Sequence, residues 1–343
     1  MITKAKKLAN GAVDSLRAII EGDFFSSSLQ NQLVTLESLS LIMKKIEAIE
    51  TRIGTIETKT TRIDEKTEQI ATILPFRGVS WDVEADQNAP EVRILEFLMP
   101  RIKDKSAIDV GAHCGRFAAE MLRIGCRNVY CFEPHPGLSA DLKAKYASDN
   151  RVVVFPMAVS ETDGSAELHL VRKTADSRLT ADPLLFSSLA PHNMPSGIEF
   201  HGKTPVVVRA LGSMMAEGII PKKAGILKVD AEGFDLKVFK GMPEGTPFDI
   251  LMSEFWSSDF VFATPEIPPQ ETVFRHLREN GYPYSISIIR LENRDIIFTV
   301  NMPIRTPKSW GNTLYFHDES LFTPAYEFVK SVCLLYTSPS PRD

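Results

Sequence analysis

The stretch ILKVDAEGFDLKVFKG, residues 226–241, sets Lys228, Asp230, Glu232 and Asp235 at the end of an apolar run. A hydroxyl is a weak nucleophile until its proton is removed, and a carboxylate within hydrogen-bond reach can take that proton. Asp230 is the first candidate for such a base, or for the anchor of an acceptor, and Glu232 is the second. Lys228 would hold a carboxylate in place or offer a cation to a developing alkoxide. The same acids, with Asn312 of WGNTLYF, would suit Mg²⁺, since hard cations take oxygen ligands. A D-x-E pair is common, however, and a divalent metal is not favoured. Asp235 is expected in the first turn of a following helix, where its charge suits the dipole. Gly241 reads as the stop of that helix.

A second group of residues points to a nucleoside. In AIDVGAHCGRF, Asp109, Gly111 and Gly115 lie at the end of a predicted strand, just before a helix. Glycine there lets backbone approach a ligand, and the helix start presents its N–H groups. Glu133 closes VYCFEP, where an acid accepts hydrogen bonds from both ribose hydroxyls of an adenosine. A dinucleotide fingerprint needs glycine at the position held by His113, so the nicotinamide pattern fails. S-adenosylmethionine carries no phosphate and tolerates the bulkier loop, and Asp109 suits its ammonium. Ala158 and Ser160, in FPMAVSETDG, would lie along the same edge beside the adenine, or simply lead into a turn.

These residues need a sheet to gather them. SAIDVGA, NVYCFEP, VVVFPMAV, GILKVD and FDILMSEF are short buried strands that alternate with helical patterns, among them Arg116–Ile124 and Leu138–Tyr146. That alternation predicts a parallel sheet covered by helices on both faces. SAELHLV and TPVVVRAL read as a hairpin or added strands, and YSISIIRL and NTLYFHD as final antiparallel strands. His192 and His201 lie in the Pro-rich segment APHNMPSGIEFHGKTP, an expected acceptor loop in which either is a further candidate base. His135 would touch the nucleoside or sit in solvent. Phe255, Trp256, Phe260 and Phe262 would wall an acceptor pocket or pack in the core.

The ordered series IDVGAHCGRF, VYCFEPHP, VVVFPMAVSETDGSAELHL, SSL, VRAL and ILKVDAEGFDLKVFKGM resembles the FkbM-type S-adenosylmethionine-dependent methyltransferases over roughly residues 106–256. The resemblance implies an α/β fold with a Rossmann-like, seven-stranded class I methyltransferase sheet, and methyl transfer to a hydroxyl of a sugar, glycan or secondary metabolite. Carried over by position, Asp109, Gly111, Gly115, Glu133 and Ala158 line the cofactor site. Lys228, Asp230 and Glu232 stand in the K-x-D-x-E-G signature on the acceptor side. Where this chain has His113 the family often has Asn. A scaffolding protein with a degenerate methyltransferase domain is the alternative, and intact glycines, Glu133 and the full signature weigh against it.

The chain divides into a helical segment (1–34), a coiled coil (35–75), the methyltransferase domain (76–330) and a tail (331–343). In the coil, Leu39, Ile46, Ile53, Thr60, Thr67 and Leu74 take a positions, and Ile42, Ile49, Ile56, Ile63 and Ile70 take d positions. Basic g residues (Lys45, Arg52, Lys59) face acidic e residues (Glu50, Glu57, Asp64) only in a parallel, in-register homo-oligomer. Isoleucine at every d position disfavours a dimer and leans toward a trimer. The tail, LLYTSPSPRD, resembles adapter read-through and is expected to be disordered and non-native. A net charge of −5 and pI near 5.9 give no electrostatic case for nucleic acid. No apolar run is long enough to span a membrane. Four cysteines without metal spacing, and no secretory signal, predict a cytoplasmic protein. A peptide of residues 31–75 is expected to sediment as a helical oligomer; a monomeric, unfolded peptide would refute the coil.

Overall fold

A computed structural model describes residues 89–177, 182–189, 193–194, 196–245, 248–260, 264, 267–292 and 295–335. The coiled-coil and N-terminal expectations, His192, Phe262 and residues 336–343 lie outside them.

The main sheet forms from β1 (Ser106–Val110), β2 (Asn128–Phe132), β3 (Val152–Phe155), β7 (Ala224–Val229), β8 (Phe248–Trp256), β9 (Tyr284–Leu291), β10 (Ile296–Val300) and β11 (Ser309–Phe316), in the order β10-β9-β11-β8-β7-β1-β2-β3. From β3 to β8 every pairing is parallel. β11 then inserts antiparallel between β8 and β9, and β10 adds antiparallel to β9. β1 and β7 lie at the centre and every residue of both is buried. Strands covered on both faces read as continuous apolar runs, which makes Asp109 and Lys228 conspicuous within them.

The sheet has eight strands among the described residues, against the seven expected. The extra one, IIFTV, returns from β9 by a short connection to the edge. Its Ile296, Phe298 and Val300 join one core face, while Ile297 packs with Phe255 and Ile289 on a smaller cluster.

Helices cover both faces. On one lie α1 (Pro90–Leu98), α2 (Arg116–Ile124), α3 (Pro136–Lys145) and α7 (Glu319–Leu335); on the other lie α4 (Leu211–Ala216), α5 (Asp235–Lys240) and α6 (Gln270–Glu279). α2 shows the local logic. Phe117, Ala118, Met121 and Ile124 form its buried stripe at helical spacing. Left-handed Gly115 and Gly125 flank it, and the second closes the C-terminus through its N–H. None of the helices among the described residues is long and apolar enough to cross a membrane.

A three-stranded sheet sits apart from the main one: β4 (Ala158–Val159), β6 (Ile198–Arg209) and β5 (Gly164–Lys173), with β5 and β6 antiparallel and β4 parallel to β6. The short 3-10 turn Pro183–Phe186 and the bridge from His169 to Ser188 attach a strap, residues 182–189, to it.

One buried ion pair clamps α1 to the antiparallel end. The Arg290 guanidinium meets Glu91 through Nη1–Oε1 (2.7 Å) and Nη2–Oε2 (2.9 Å), and Asn312 Nδ2 donates to Glu91 Oε1 (3.2 Å). Arg290 and Glu91 are 0% and 1% exposed. Removing one partner strands the other charge in the core, at a cost of about 3–5 kcal/mol. Glu91→Ala is therefore expected to lower the chemical-denaturation midpoint sharply. A shift typical of a surface substitution would show that the clamp carries no weight.

Candidate functional site

The register of β1 and β7 places Asp109 beside Lys228. The Lys228 ammonium, on a side chain 3% exposed, lies 3.3 Å from Asp109 Oδ1 and 3.3 Å from Asp230 Oδ2, and donates to the Gly111 carbonyl at 3.1 Å. The face of Phe117 lies 5.7 Å beneath it. Lys228 thus ties together the ends of two strands from below and does not border the cavity above. Asp109, fully buried, shares that position. Burial raises its pKa while Lys228 opposes the rise.

The two loops above Lys228 touch. Gly111 adopts φ +76°, and a Cβ there would fall 1.9 Å from the Asp230 carbonyl oxygen. The glycine is required by the approach of this second loop, not by a ligand alone. Gly115 (φ +73°) has no room either, with Leu142 Cδ1 2.4 Å from a built Cβ. His113 is left-handed at φ 48°, a conformation that favours Asn, Asp and His among residues other than glycine.

Glu133 extends from the tip of β2. Its Oε2 accepts from the His113 N–H and its Oε1 from the His135 N–H, both at 2.8 Å. Burial pushes its pKa up to about 7, against those two hydrogen bonds. Each oxygen keeps a lone pair for a further donor. His135 itself caps α3, its Nδ1 accepting from the Leu138 N–H.

A cleft of about 700 Å³, its open mouth included, lies over these groups. Gly111, His113, Glu133, Ala158, Asp230 and Glu232 all border it. Phe132, Met157, Val159 and Leu168 give it apolar walls, and Leu184 and Ser188 of the strap close one side. The strap is attached at both ends: Asp182 Oδ2 lies 3.5 Å from His113 Nε2, and Ser188 Oγ donates to the Glu232 carbonyl at 3.1 Å. Burial lowers the His113 pKa, which favours the neutral ring. Gly115 and Ser160 lie outside the lining. The Ser160 N–H donates to the Arg209 carbonyl, and its own carbonyl would meet a Cβ on Gly241 at 2.2 Å. Gly241 does end α5, but with φ −82°, so close approach and not handedness calls for glycine. His201 is exposed on β6.

Asp235 begins α5 and does more than face its dipole. Its Oδ1 accepts from the Ala231 N–H (2.9 Å) and its Oδ2 from Ser253 Oγ (2.8 Å), so it fixes the loop 230–234 to β8. Burial, with the Asp230 charge adding to it, pushes its pKa to about 7. Glu232 stands in that loop at φ 49°.

The sequence reading missed Glu254. It is the acid near the C-terminal end of the strand FDILMSEFW, whose other acid, Asp249, lies at its start, and an acid at a strand end was its available signal. One carboxylate oxygen each of Asp230, Glu232 and Glu254 lie within 4.8 Å of one another, a spacing able to hold a cation. Burial, the charges of Asp230 and Glu232, and a hydrogen bond with Asp230 raise the Glu254 pKa well above the usual carboxylate range. Asn312 does not complete this set, because its amide is directed to Glu91.

Residues 109–284, half of the chain, match the methyltransferase FkbM domain, and the chain belongs to the FkbM family of S-adenosylmethionine-dependent methyltransferases. Among solved structures it is similar to the O-methyltransferase TomG from Streptomyces achromogenes, in complex with SAM (10% identity, 69% of this chain and 82% of that one, TM-score 0.36). It is also similar to an rRNA methylase from Streptococcus thermophilus (6%, 67% and 96%, 0.33) and a precorrin-6y C5,15-methyltransferase from Geobacter metallireducens (7%, 70% and 94%, 0.33). The likeness is loose in every case. No curated protein matches the chain in sequence.

The cavity fits the family's cofactor. Carboxylates stand at both ends, Glu133 at one and Asp230 with Glu232 at the other, with apolar walls between and no Lys or Arg among the described lining residues. A pyrophosphate would find no cation there, whereas ribose hydroxyls, an ammonium and a sulfonium all meet acceptors.

Glu133 carries a pH signature. Its carboxyl titrates near 7 when folded, against 4.5 ordinarily. The folded chain therefore binds more proton between those values, and stability falls as pH rises from about 4.5 to about 7, by about 3 kcal/mol from this group. Asp235 adds slope of the same sign. Ligand-free Glu133→Gln is expected to show a shallower loss of melting temperature across that window than the parent, and an unchanged slope would contradict this assignment.

Proposed function

We propose that the chain is an O-methyltransferase, transferring a methyl group to a hydroxyl of a sugar, glycan or secondary metabolite. The observation that carries the proposal is the cavity with carboxylates at both ends and no cation in its described lining. S-adenosylmethionine, when bound, supplies an electrophilic methyl group on a sulfonium.

The chain's own residues have separable tasks. Glu133, already oriented by two backbone N–H groups, accepts the ribose hydroxyls. Phe132, Met157 and Val159 pack against the base and exclude water. Asp230 is held by Lys228 from below on the acceptor side, where its carboxylate takes the hydroxyl proton. Lys228 works through Asp109, Asp230 and Gly111 and acts as a positioning residue. Glu232 backs Asp230 from the same loop.

A base in general acid–base catalysis is worth about 10²–10⁴-fold in rate. Asp230→Asn is expected to lower turnover by at least about 100-fold while leaving S-adenosylhomocysteine affinity, by calorimetry, close to that of the parent. Full activity would remove Asp230 from the mechanism. Turnover is read with radiolabelled S-adenosylmethionine across an acceptor panel weighted toward saccharides. Absence of any heat or thermal shift with either nucleoside would sink the enzyme assignment and favour a scaffolding role.

A further inference from the structure

Four adjacent parallel strands of the main sheet each begin directly after a base. Lys223 precedes β7, Lys105 precedes β1, Arg127 precedes β2 and Arg151 precedes β3. The Arg127 N–H donates to the Lys105 carbonyl (2.6 Å) and the Val129 N–H to the Arg151 carbonyl (2.8 Å). These bases therefore stand in a row, one per strand, at about 4.8 Å a step. The connections that lead into the strands, 218–223, 101–105, 125–127 and 147–151, hold seven bases, with Arg101, Lys103 and Lys222 added. Against them stand two acids, Asp104 and Asp149, in a chain whose net charge is −5. Other acids at this edge gather on the β8–β11 side, Asp249 beside His317 (3.6 Å) and Asp318 near Lys103.

The fold itself uses some of these cations. Arg101 donates to the Phe97 carbonyl and Lys105 to the Met99 carbonyl, both at the end of α1, and Asp149 clamps Arg151 at 2.7 and 2.9 Å. Arg127, Lys222 and Lys223 are exposed, and their side chains have no hydrogen-bond or ion-pair partner among the described residues. Three large apolar side chains are exposed among the described residues, and two of them flank this edge. Ile219, 38% exposed, lies three residues before Lys222, and Val153, 40% exposed, lies two after Arg151 on the outer strand β3. Tyr130, the register partner of Val153, packs with the cluster beneath α4, the helix that the 218–223 connection leaves. Both apolar side chains thus belong to one side of the sheet.

We propose that this edge docks on an anionic lipid surface, with Arg127, Lys222 and Lys223 meeting headgroups and Ile219 and Val153 adding apolar contact. Cations flanked by aliphatic side chains suit a charged plane with hydrocarbon beneath it. A nucleic-acid strand would call for aromatic platforms, and none of the four connections contains an aromatic residue. The acids of the donor cleft do not oppose the contact. They stand at the far ends of these strands, about 17 Å away for five residues, and salt at physiological strength screens charges beyond about 8 Å. The cleft, at that opposite edge, stays open to water while the basic edge is covered.

The test is co-sedimentation of the full chain with vesicles of phosphatidylcholine alone or mixed with phosphatidylglycerol. Binding to the mixed vesicles is expected to be at least about tenfold tighter and to weaken as salt rises, since each cation near such a surface is worth about fivefold in partitioning. Replacing Arg127, Lys222 and Lys223 together by Ser is expected to weaken it at least about tenfold, and Lys223→Ser alone at least about threefold. Ile219→Ser is expected to weaken binding while leaving the salt dependence unchanged. The melting temperature of each variant is expected to match the parent's. Equal binding to both kinds of vesicle, or to neither, would overturn the proposal. So would binding that the triple variant retains, which would place the contact elsewhere in the chain. Tighter binding to a single-stranded ribonucleotide homopolymer than to the vesicles, lost in the same variant, would assign the edge to nucleic acid instead and overturn it as well.

Discussion

A single buried ammonium organises this site. Lys228 lies in the middle of the most deeply buried part of the sheet, where an unpaired charge is prohibitively costly, and it is surrounded by two carboxylates, a carbonyl and an aromatic face. Breaking a buried pair from one side costs far more than the pair contributes to stability. The arrangement therefore serves specificity of structure more than stability. It forces the tip of β1 and the tip of β7 to end at one height and in one register, and both loops above inherit their positions from it.

Much of this was legible in the chain. The alternation of short apolar runs with helical stripes identified the parallel half of the sheet, and α2 fell where its stripe placed it. Acids at strand ends marked the site because they contradict the apolar pattern around them. What stayed hidden depends on partners distant in sequence. Whether Asn312 faces the acids or Glu91 is decided by a contact with α1, more than two hundred residues away. The extra strand β10 is a short apolar run that becomes a strand only because β9 offers an edge. Glu254 gains meaning only when β8 lies beside β7, which brings its carboxyl near Asp230.

The glycines show the same division. In VGAHCG the glycines read as room for a ligand, but the reasons for glycine differ from one position to the next. Gly111 makes room for another loop's backbone, Gly115 for Leu142, and Gly233 for Ile267. Gly241 has ordinary helical dihedrals and is demanded by the Ser160 carbonyl, which joins α5 to the strand leading into the small sheet. Sequence identifies where a side chain is missing; only packing says what occupies the space.

The contact between Gly111 and the Asp230 carbonyl also limits how such a protein can be re-engineered. The donor-side loop and the acid-bearing loop share a seam with no side chain to absorb displacement, so remodelling residues 230–233 to admit a new acceptor would disturb the nucleoside pocket as well.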